Sequence, residues 1–129
     1  MFLEEEDDNR FDRKKLKKMP LYQKAMDIFQ MVEGLTSMFD EEDEMGKHAA
    51  EFIRADAMQI PAKIGGAFGD TLYDIKMENA TIIRKCAMSI YVSTNHFRKE
   101  DGEFDEYLDS LRAEIRRIQR AIYRLGGWI

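Results

Sequence analysis

The residues with the greatest potential for metal or nucleophilic chemistry are two histidines and a single cysteine. His48 has Glu44 four positions before it and Glu51 three positions after it, so on a helix these side chains would share one face. Metal sites in helical bundles usually need Glu-x-x-His pairs on facing helices, and neither His48 nor His96 has a glutamate three positions before it. The sequence therefore offers one isolated ligand pair, and we expect neither a metal ion nor any other cofactor.

Other catalytic patterns are also missing from the sequence. The acidic run from Asp40 to Glu51 has the length of a calcium loop, but Met45 stands at the sixth position, where that loop needs glycine. Cys86 lies among apolar residues at helical spacing, where a thiol usually acts as a small hydrophobe. No arginine is followed four to six residues later by histidine, as in the bundle-type ribonucleases of the HEPN class. We therefore expect no enzymatic activity.

A group of arginines near the end of the chain is the remaining chemical signal. These residues fall on the side of the last predicted helix that is opposite its apolar seam, and arginine is a good ligand for phosphate. Two interpretations stay open, because basic residues also favour a helix C-terminus and the net charge of −5 is unusual for a nucleic-acid binder. The arginines are Arg112, Arg116, Arg117, Arg120 and Arg124.

Apolar residues at steps of three and four predict four helices that would carry these groups. The first begins at Pro20, and the second runs from about Met45 to Phe68, with Gly69 as its C-cap. Asp70 or Thr71 is the predicted N-cap of the third helix, a turn is predicted at residues 99–102, and Gly126-Gly127 ends the fourth helix. The predicted core faces are Leu21, Ala25, Ile28, Val32, Leu35 and Phe39; Ala49, Phe52, Ile53, Ala57, Ile60 and Ile64; Leu72, Ile75, Ile83, Cys86, Ile90 and Phe97; and Phe104, Leu108, Leu111, Ile115, Ile118, Ile122 and Leu125.

Four such helices with short loops predict an all-α, up-down-up-down four-helix bundle over residues 20–129. Residues 1–19 hold an acidic block followed by a basic block, which predicts a flexible charged arm that could add to a basic surface. With 129 residues, 44% of them hydrophobic, the chain is the size of one domain. No apolar run approaches about 20 residues, and a single cysteine suits a reducing compartment. We therefore expect a cytoplasmic protein with no membrane partner.

A second apolar stripe on two of the helices predicts self-association. A monomeric bundle would expose both stripes, and large exposed apolar patches usually mark interfaces. Single exposed methionines and tyrosines are normal, but the two stripes together favour a homo-oligomer. The stripes are Tyr22, Met26 and Phe29 on the first helix and Tyr73, Met77, Ala80, Met88 and Tyr91 on the third.

Residues 59–69 place helix-breaking residues inside the second predicted helix. Pro61 costs about 3 kcal/mol or more in a helix interior, and Gly65 and Gly66 each cost about 1 kcal/mol relative to alanine. Because the apolar spacing continues through this stretch, we interpret it as a kink and a site where another helix packs closely.

The same stretch resembles the signature of a four-helix-bundle family, the proteins encoded in intervening sequences of 23S ribosomal RNA. That family has Ser-Ile-Pro-x-Asn-Ile-Ala-Glu-Gly, often followed by Phe-Gly; the polar half of the motif is absent from this chain. Ile83-Arg84 and Ser89-Ile90 are similar to the family's Leu-Arg and Gly-Ser-Leu positions. The C-terminal residues 125–129 resemble a related group, the accessory variability determinants of diversity-generating retroelements. The matching signature residues are Ile60, Pro61, Ile64, Phe68 and Gly69, and the departures are Gln59, Lys63, Gly65, Gly66 and Ala67.

The resemblance implies a left-handed bundle that assembles into a homo-oligomeric ring, with a pentamer favoured, and no enzymatic activity. The function that we expect is that of a structural or protein-interaction module. The alternative is an accessory protein that binds RNA, DNA or a reverse transcriptase through a basic surface. For that alternative the residues are Arg112, Arg116, Arg120 and Arg124, with Arg117, Arg84 and Lys63 as outliers.

Overall fold

The computed structural model describes residues 13–38, 44–69 and 72–127, and all regular structure within these ranges is helical. Four long helices are present: α1 (Pro20–Met38), α2 (Glu44–Gly69), α3 (Tyr73–Ser93) and α4 (Asp105–Gly127). A 3-10 turn, Thr94–Phe97, continues from the end of α3. The all-α prediction and the four predicted helices are confirmed. The predicted N-caps Asp70 and Thr71 lie outside the described residues, as do Phe39, Asp40, Trp128 and Ile129.

Each long helix buries one seam of apolar side chains at steps of three and four residues. This spacing keeps the seam on one side of the helix, because 3.5 residues is close to one helical turn. The predicted core of α4 is confirmed from Phe104 to Ile122, and the side chain of Leu125 is not among those described. The buried seams are Ala25, Ile28, Val32 and Leu35; Ala50, Ile53, Ala57, Ile60, Ile64 and Ala67; Ala80, Ile83, Ala87, Ile90 and Phe97; and Phe104, Leu108, Leu111, Ile115, Ile118 and Ile122.

Four predictions about these faces are wrong. Phe52, Leu72 and Ile75 were expected in the core but are 66%, 60% and 37% exposed, and Ala80, expected on an outer stripe, is buried. Phe52 lies about 100° around α2 from its buried neighbour Ile53, and Ile75 lies about 140° around α3 from Ala80. Assigning the buried seam one residue away from its true position therefore places a large side chain in the predicted core that is in fact on the surface.

The long helices contact one another in a closed order: α1 with α2, α2 with α3, α3 with α4, and α4 with α1. Tyr107 of α4 donates a 2.6 Å hydrogen bond to the backbone carbonyl of Met31 on α1. Lys24 and Glu114 form an ion pair of 3.3 Å between the same two helices. Among the described helices, none combines the length and apolar character needed to cross a bilayer.

Two glycines allow close approach of neighbouring side chains. A Cβ at Gly66 would lie 2.2 Å from the side-chain nitrogen (Nδ2) of Asn79 on α3. A Cβ at Gly34 would lie 2.6 Å from the Tyr107 hydroxyl. Close packing at Gly66 agrees with our interpretation of the glycine pair in α2. The helix continues through Pro61, which is buried.

Residues 13–18, part of the predicted charged arm, are helical in the structure. Leu16 packs against the core and approaches Gly65, where an added Cβ would lie 3.4 Å from its side chain. This segment of the arm therefore contacts the bundle of helices, whereas residues 1–12 lie outside the described residues.

The connection between α3 and α4 has the predicted turn. Gly102 adopts a φ of 72°, in the left-handed region that favours glycine, and its N–H donates to the Lys99 carbonyl at 3.0 Å. Arg98 then bonds to Asp105 and Asp109 in the first turns of α4, at 3.0 and 3.3 Å. These contacts fix the start of α4 relative to the end of α3.

Candidate functional site

The arginines of α4 form one wall of a groove whose other wall is α3. Arg116, Arg120 and Arg124 recur every fourth residue, so their positions follow one face of the helix over about 12 Å. Arg84 and Met88 of α3 line the opposite wall. The groove has a volume of about 490 Å³. We call it the arginine groove; it is lined by Arg84, Met88, Arg116, Gln119, Arg120, Tyr123 and Arg124.

The arginine groove combines positive charge with an apolar surface. No carboxylate is among its described lining residues. Between the arginines lie Tyr123 and Met88, whose exposed fractions are 69% and 54%. A ligand in this groove would meet guanidinium groups and an uncovered aromatic ring together.

A second, more polar hollow of about 400 Å³ adjoins the arginine groove and shares Arg116 and Arg120 with it. Its floor includes the ring of Tyr91, which the guanidinium carbons of Arg112 and Arg116 approach to 4.6 and 5.3 Å from the ring centre. Arg116 also donates a hydrogen bond to the Tyr91 hydroxyl. Stacking on an aromatic face holds a guanidinium in place, so these two arginines are positioned before any ligand binds.

Arg112 makes contacts that serve the fold. Its Nε donates to the hydroxyl of Thr94 at 2.7 Å, and its Nη2 donates to the Asn95 side chain at 2.5 Å. Thr94 is fully buried, and its own hydroxyl donates to the Tyr91 carbonyl at 2.6 Å. Arg112 therefore ties the 3-10 turn after α3 to α4, and two of its five N–H donors are used in these contacts.

Arg117 is partly neutralised, because it pairs with Glu114, which also pairs with Lys24. By contrast, Arg84, Arg116, Arg120 and Arg124 have no carboxylate partner within the part of the chain that the structure describes. Lys63, the remaining outlier among the predicted basic residues, belongs to α2 and lines neither hollow. The structure thus brings together four predicted arginines in the arginine groove and leaves Lys63 apart from them.

The predicted histidine pair remains an isolated surface contact. His48 Nδ1 lies 3.9 Å from Glu51, and both side chains are largely exposed. Among the described residues no group of three or more His, Cys, Asp or Glu side chains is placed to hold a metal ion.

Cys86 is buried and faces Asp56 of α2. Burial, with the charge of Asp56 and a hydrogen bond to it, raises the pKa of the Cys86 thiol from 9.0 to about 11. The Asp56 carboxylate also accepts a 2.6 Å hydrogen bond from Ser89. A thiol with a raised pKa is a poor nucleophile at neutral pH, and the arrangement joins α2 to α3.

The residues of the two predicted apolar stripes are exposed to different degrees. Tyr22, Phe29 and Tyr91 are half-buried against the core of their own chain, whereas Tyr73 and Met88 are exposed. Met26 and Met77 are intermediate. The larger exposed side chains also include Phe52 and Met58 of α2 and Val92 of α3, which the stripes did not contain.

Two features of the groove were not predicted from the sequence. Tyr123 follows Arg120 by three residues, a spacing that puts both on one side of a helix, and this signal was available. The stacking of Arg112 and Arg116 on Tyr91 joins positions that are 21 and 25 residues apart, so it depends on how α3 packs against α4.

Comparison of the chain with protein-family models, with curated proteins and with solved structures finds no match. The resemblance to intervening-sequence proteins and accessory variability determinants therefore stays a prediction, based on the signature residues alone.

Proposed function

We propose that this protein is a non-enzymatic binding protein whose arginine groove contacts the phosphate groups of a nucleic acid. The observation that carries the proposal is the presence of four arginines without a carboxylate partner in one groove among the described residues. Guanidinium groups bind phosphate oxygens through paired, charge-assisted hydrogen bonds. A surface that only served solubility would usually intersperse both signs of charge.

The proposal includes an up-down-up-down four-helix bundle as the scaffold. Contacts between α1 and α4 support it, because moving forward from Lys24 to Met31 on α1 means moving backward from Glu114 to Tyr107 on α4. On α3 and α4, contacts likewise run from Tyr91 with Arg116 to Thr94 with Arg112. The pairs Asp56 with Ser89 and Gly66 with Asn79 follow the same rule on α2 and α3.

Salt-titrated binding of RNA and DNA oligonucleotides tests the nucleic-acid function. Each phosphate contact contributes a slope of about −0.7 for single strands or −0.9 for duplex in a plot of log K against log salt. We expect Arg120→Glu and Arg124→Glu to weaken binding and flatten the slope. Lys47→Glu, an exposed charge reversal on α2, is the matched control and should leave binding unchanged. Absence of binding at low salt, or equal effects of all three variants, would overturn the proposal.

A second candidate function is a homo-oligomeric structural or protein-interaction module. The large exposed apolar side chains of α2 and α3, including Phe52, Met58, Tyr73 and Val92, favour it. A ring, with a pentamer as the form that the family resemblance favours, would cover such side chains between copies. The two functions are compatible, because Phe52, Met58, Tyr73 and Val92 do not line the arginine groove, although α3 contributes to both surfaces. Binding to a reverse transcriptase is proposed from the resemblance alone, and co-purification of the two proteins would test it.

A further inference from the structure

We propose that the arginine groove selects unpaired strands of nucleic acid and that an unstacked base lies against Tyr123 and Met88. This inference rests on the proposed nucleic-acid function and specifies its substrate class. It follows from the side chains between the arginines, which a phosphate-binding surface alone does not require.

The arginine groove contains an uncovered aromatic ring. Tyr123 is 69% exposed, lies between Arg120 and Arg124 in sequence, and lines the same groove as both. Single-stranded nucleic acid is bound by stacking bases on such rings while basic side chains follow the backbone. In a duplex both faces of each base are covered by neighbouring bases, so the ring would have no partner.

The two adjoining hollows differ in the chemistry of their lining residues. The arginine groove contains the apolar side chains of Tyr123 and Met88, whereas the neighbouring hollow is polar. Besides Arg112, Arg116 and Arg117, that hollow is lined by Asp109, whose carboxylate pairs with Arg98. Because Arg116 and Arg120 border both hollows, a base in the arginine groove would place its phosphate towards the polar hollow. This division between an apolar site and a polar site bordered by Arg116 and Arg120, neither of which pairs with a described carboxylate, matches the two chemical parts of one nucleotide.

The size of the arginine groove and the direction of its arginines also suit a nucleic-acid strand. The arginine groove, at about 490 Å³, falls in the size range of sites that accept small molecules. Arg116, Arg120 and Arg124 succeed one another every four residues, so they rise by about 6 Å at each step along α4. This separation is comparable to the distance between consecutive phosphates of an extended strand. A strand lying along α4 would therefore contact successive arginines.

Fluorescence anisotropy of the full-length protein with three probes of equal length tests the inference. The probes are a single strand of about 12 nucleotides, the corresponding duplex, and a single strand of the same backbone that lacks bases. We expect the single strand to bind at least tenfold more tightly than either of the others. Tyr123→Ala should weaken its binding by about 10-fold to 100-fold, and Tyr123→Phe should keep it.

Met88→Gln provides a second variant on α3, and because Met88 is exposed, neither substitution should impair folding. We expect Tyr123→Ala and Met88→Gln to leave the salt slope unchanged, since they remove no phosphate contact. Equal binding of duplex and single strand, equal binding of the strand without bases, or full binding by Tyr123→Ala would overturn this inference and leave the proposed function standing. Absence of binding by all three probes would overturn both.

Discussion

At the scale of single residues, the arginines of α4 differ in what they do. Arg112 is committed to Thr94, Asn95 and Tyr91, whereas Arg120 and Arg124 have no such contacts among the described residues. Sequence alone gave these arginines the same expected role because all lie opposite the apolar seam. Their partners on α3 decide the difference, and those partners are distant in sequence.

We expect Arg112→Ala to lower the free energy of unfolding by about 1–2 kcal/mol, because the buried hydroxyl of Thr94 loses the hydrogen bond that it accepts from Arg112. Arg120→Ala should change it by no more than about 0.5 kcal/mol. Urea denaturation followed by circular dichroism measures both. Equal values for the two variants would show that Arg112 does not anchor the turn.

Gly34 and Tyr107 give a coupled prediction. Gly34→Ala should destabilise the protein by about 1–2 kcal/mol, because its Cβ would lie 2.6 Å from the Tyr107 hydroxyl. In a Tyr107→Phe background the hydroxyl is absent and the nearest ring atom is 3.6 Å away, so the same change should stabilise α1 by up to about 1 kcal/mol. A double-mutant cycle measures this coupling, and additive effects would contradict it.

Cys86 gives a prediction about pH. Its folded-state pKa of about 11 lies above the ordinary 9.0, so the folded protein retains its proton where the unfolded chain loses it. This contribution to stability is complete below pH 9 and is lost as the pH rises through 11. At pH 8 the thiolate fraction should be about 100-fold lower than in the unfolded chain, and alkylation correspondingly slower.

Iodoacetamide labelling in native buffer and in denaturant measures that ratio. Asp56→Asn should increase native labelling, because it removes the charge that opposes the thiolate. Native labelling as fast as that of the denatured chain would contradict the buried, protonated thiol.

At the scale of the helices, regular spacing made most of the core predictable. The α4 seam alternates steps of four and three without interruption, and each described member is buried. On α2 and α3 the sequence offers two adjacent apolar residues at several steps, such as Phe52 and Ile53, and only packing against a neighbour decides which one is buried. Met88 was correctly expected to be exposed but was assigned to the self-association stripe, because its position beside the arginines of α4 depends on how α3 packs against α4.

Two isoleucines of α3 provide a matched test of this seam. Ile83→Ala should lower the free energy of unfolding by about 2–5 kcal/mol, because Ile83 is fully buried. Ile75→Ala should cost less than about 1 kcal/mol, since Ile75 is partly exposed. Thermal or urea unfolding compares them directly, and similar losses would mean that Ile75 is covered in solution.

At the scale of the whole molecule, the net charge of −5 conceals a separation of charge. The arginine groove has four arginines and no carboxylate among its described lining residues, so the charge of its lining is opposite in sign to the net charge of the chain. Total charge is therefore a poor guide to the partner of this surface.

Self-association is the prediction that belongs to the molecule as a whole. Sedimentation velocity at micromolar concentration should give a mass that is a multiple of 15.2 kDa. Phe52→Ser and Tyr73→Ser should shift the distribution towards the monomer, because both side chains are exposed and apolar. Gln30→Ala, at an exposed polar site of α1, is the control. A clean monomer for the unmodified chain would remove the oligomer proposal.

The contact at Gly66 bears on how much this molecule can deform. The side chain of Asn79 occupies the space that a side chain at Gly66 of α2 would fill, and its nitrogen donates to the Ile75 carbonyl, so α2 and α3 pack closely at this point. Arg84 and Met88 follow Asn79 on the same helix, so this contact lies on the element that supplies one wall of the arginine groove. A ligand would therefore contact one wall that belongs to a closely packed pair of helices. The side-chain conformational entropy lost on binding would come mainly from the exposed arginines of α4.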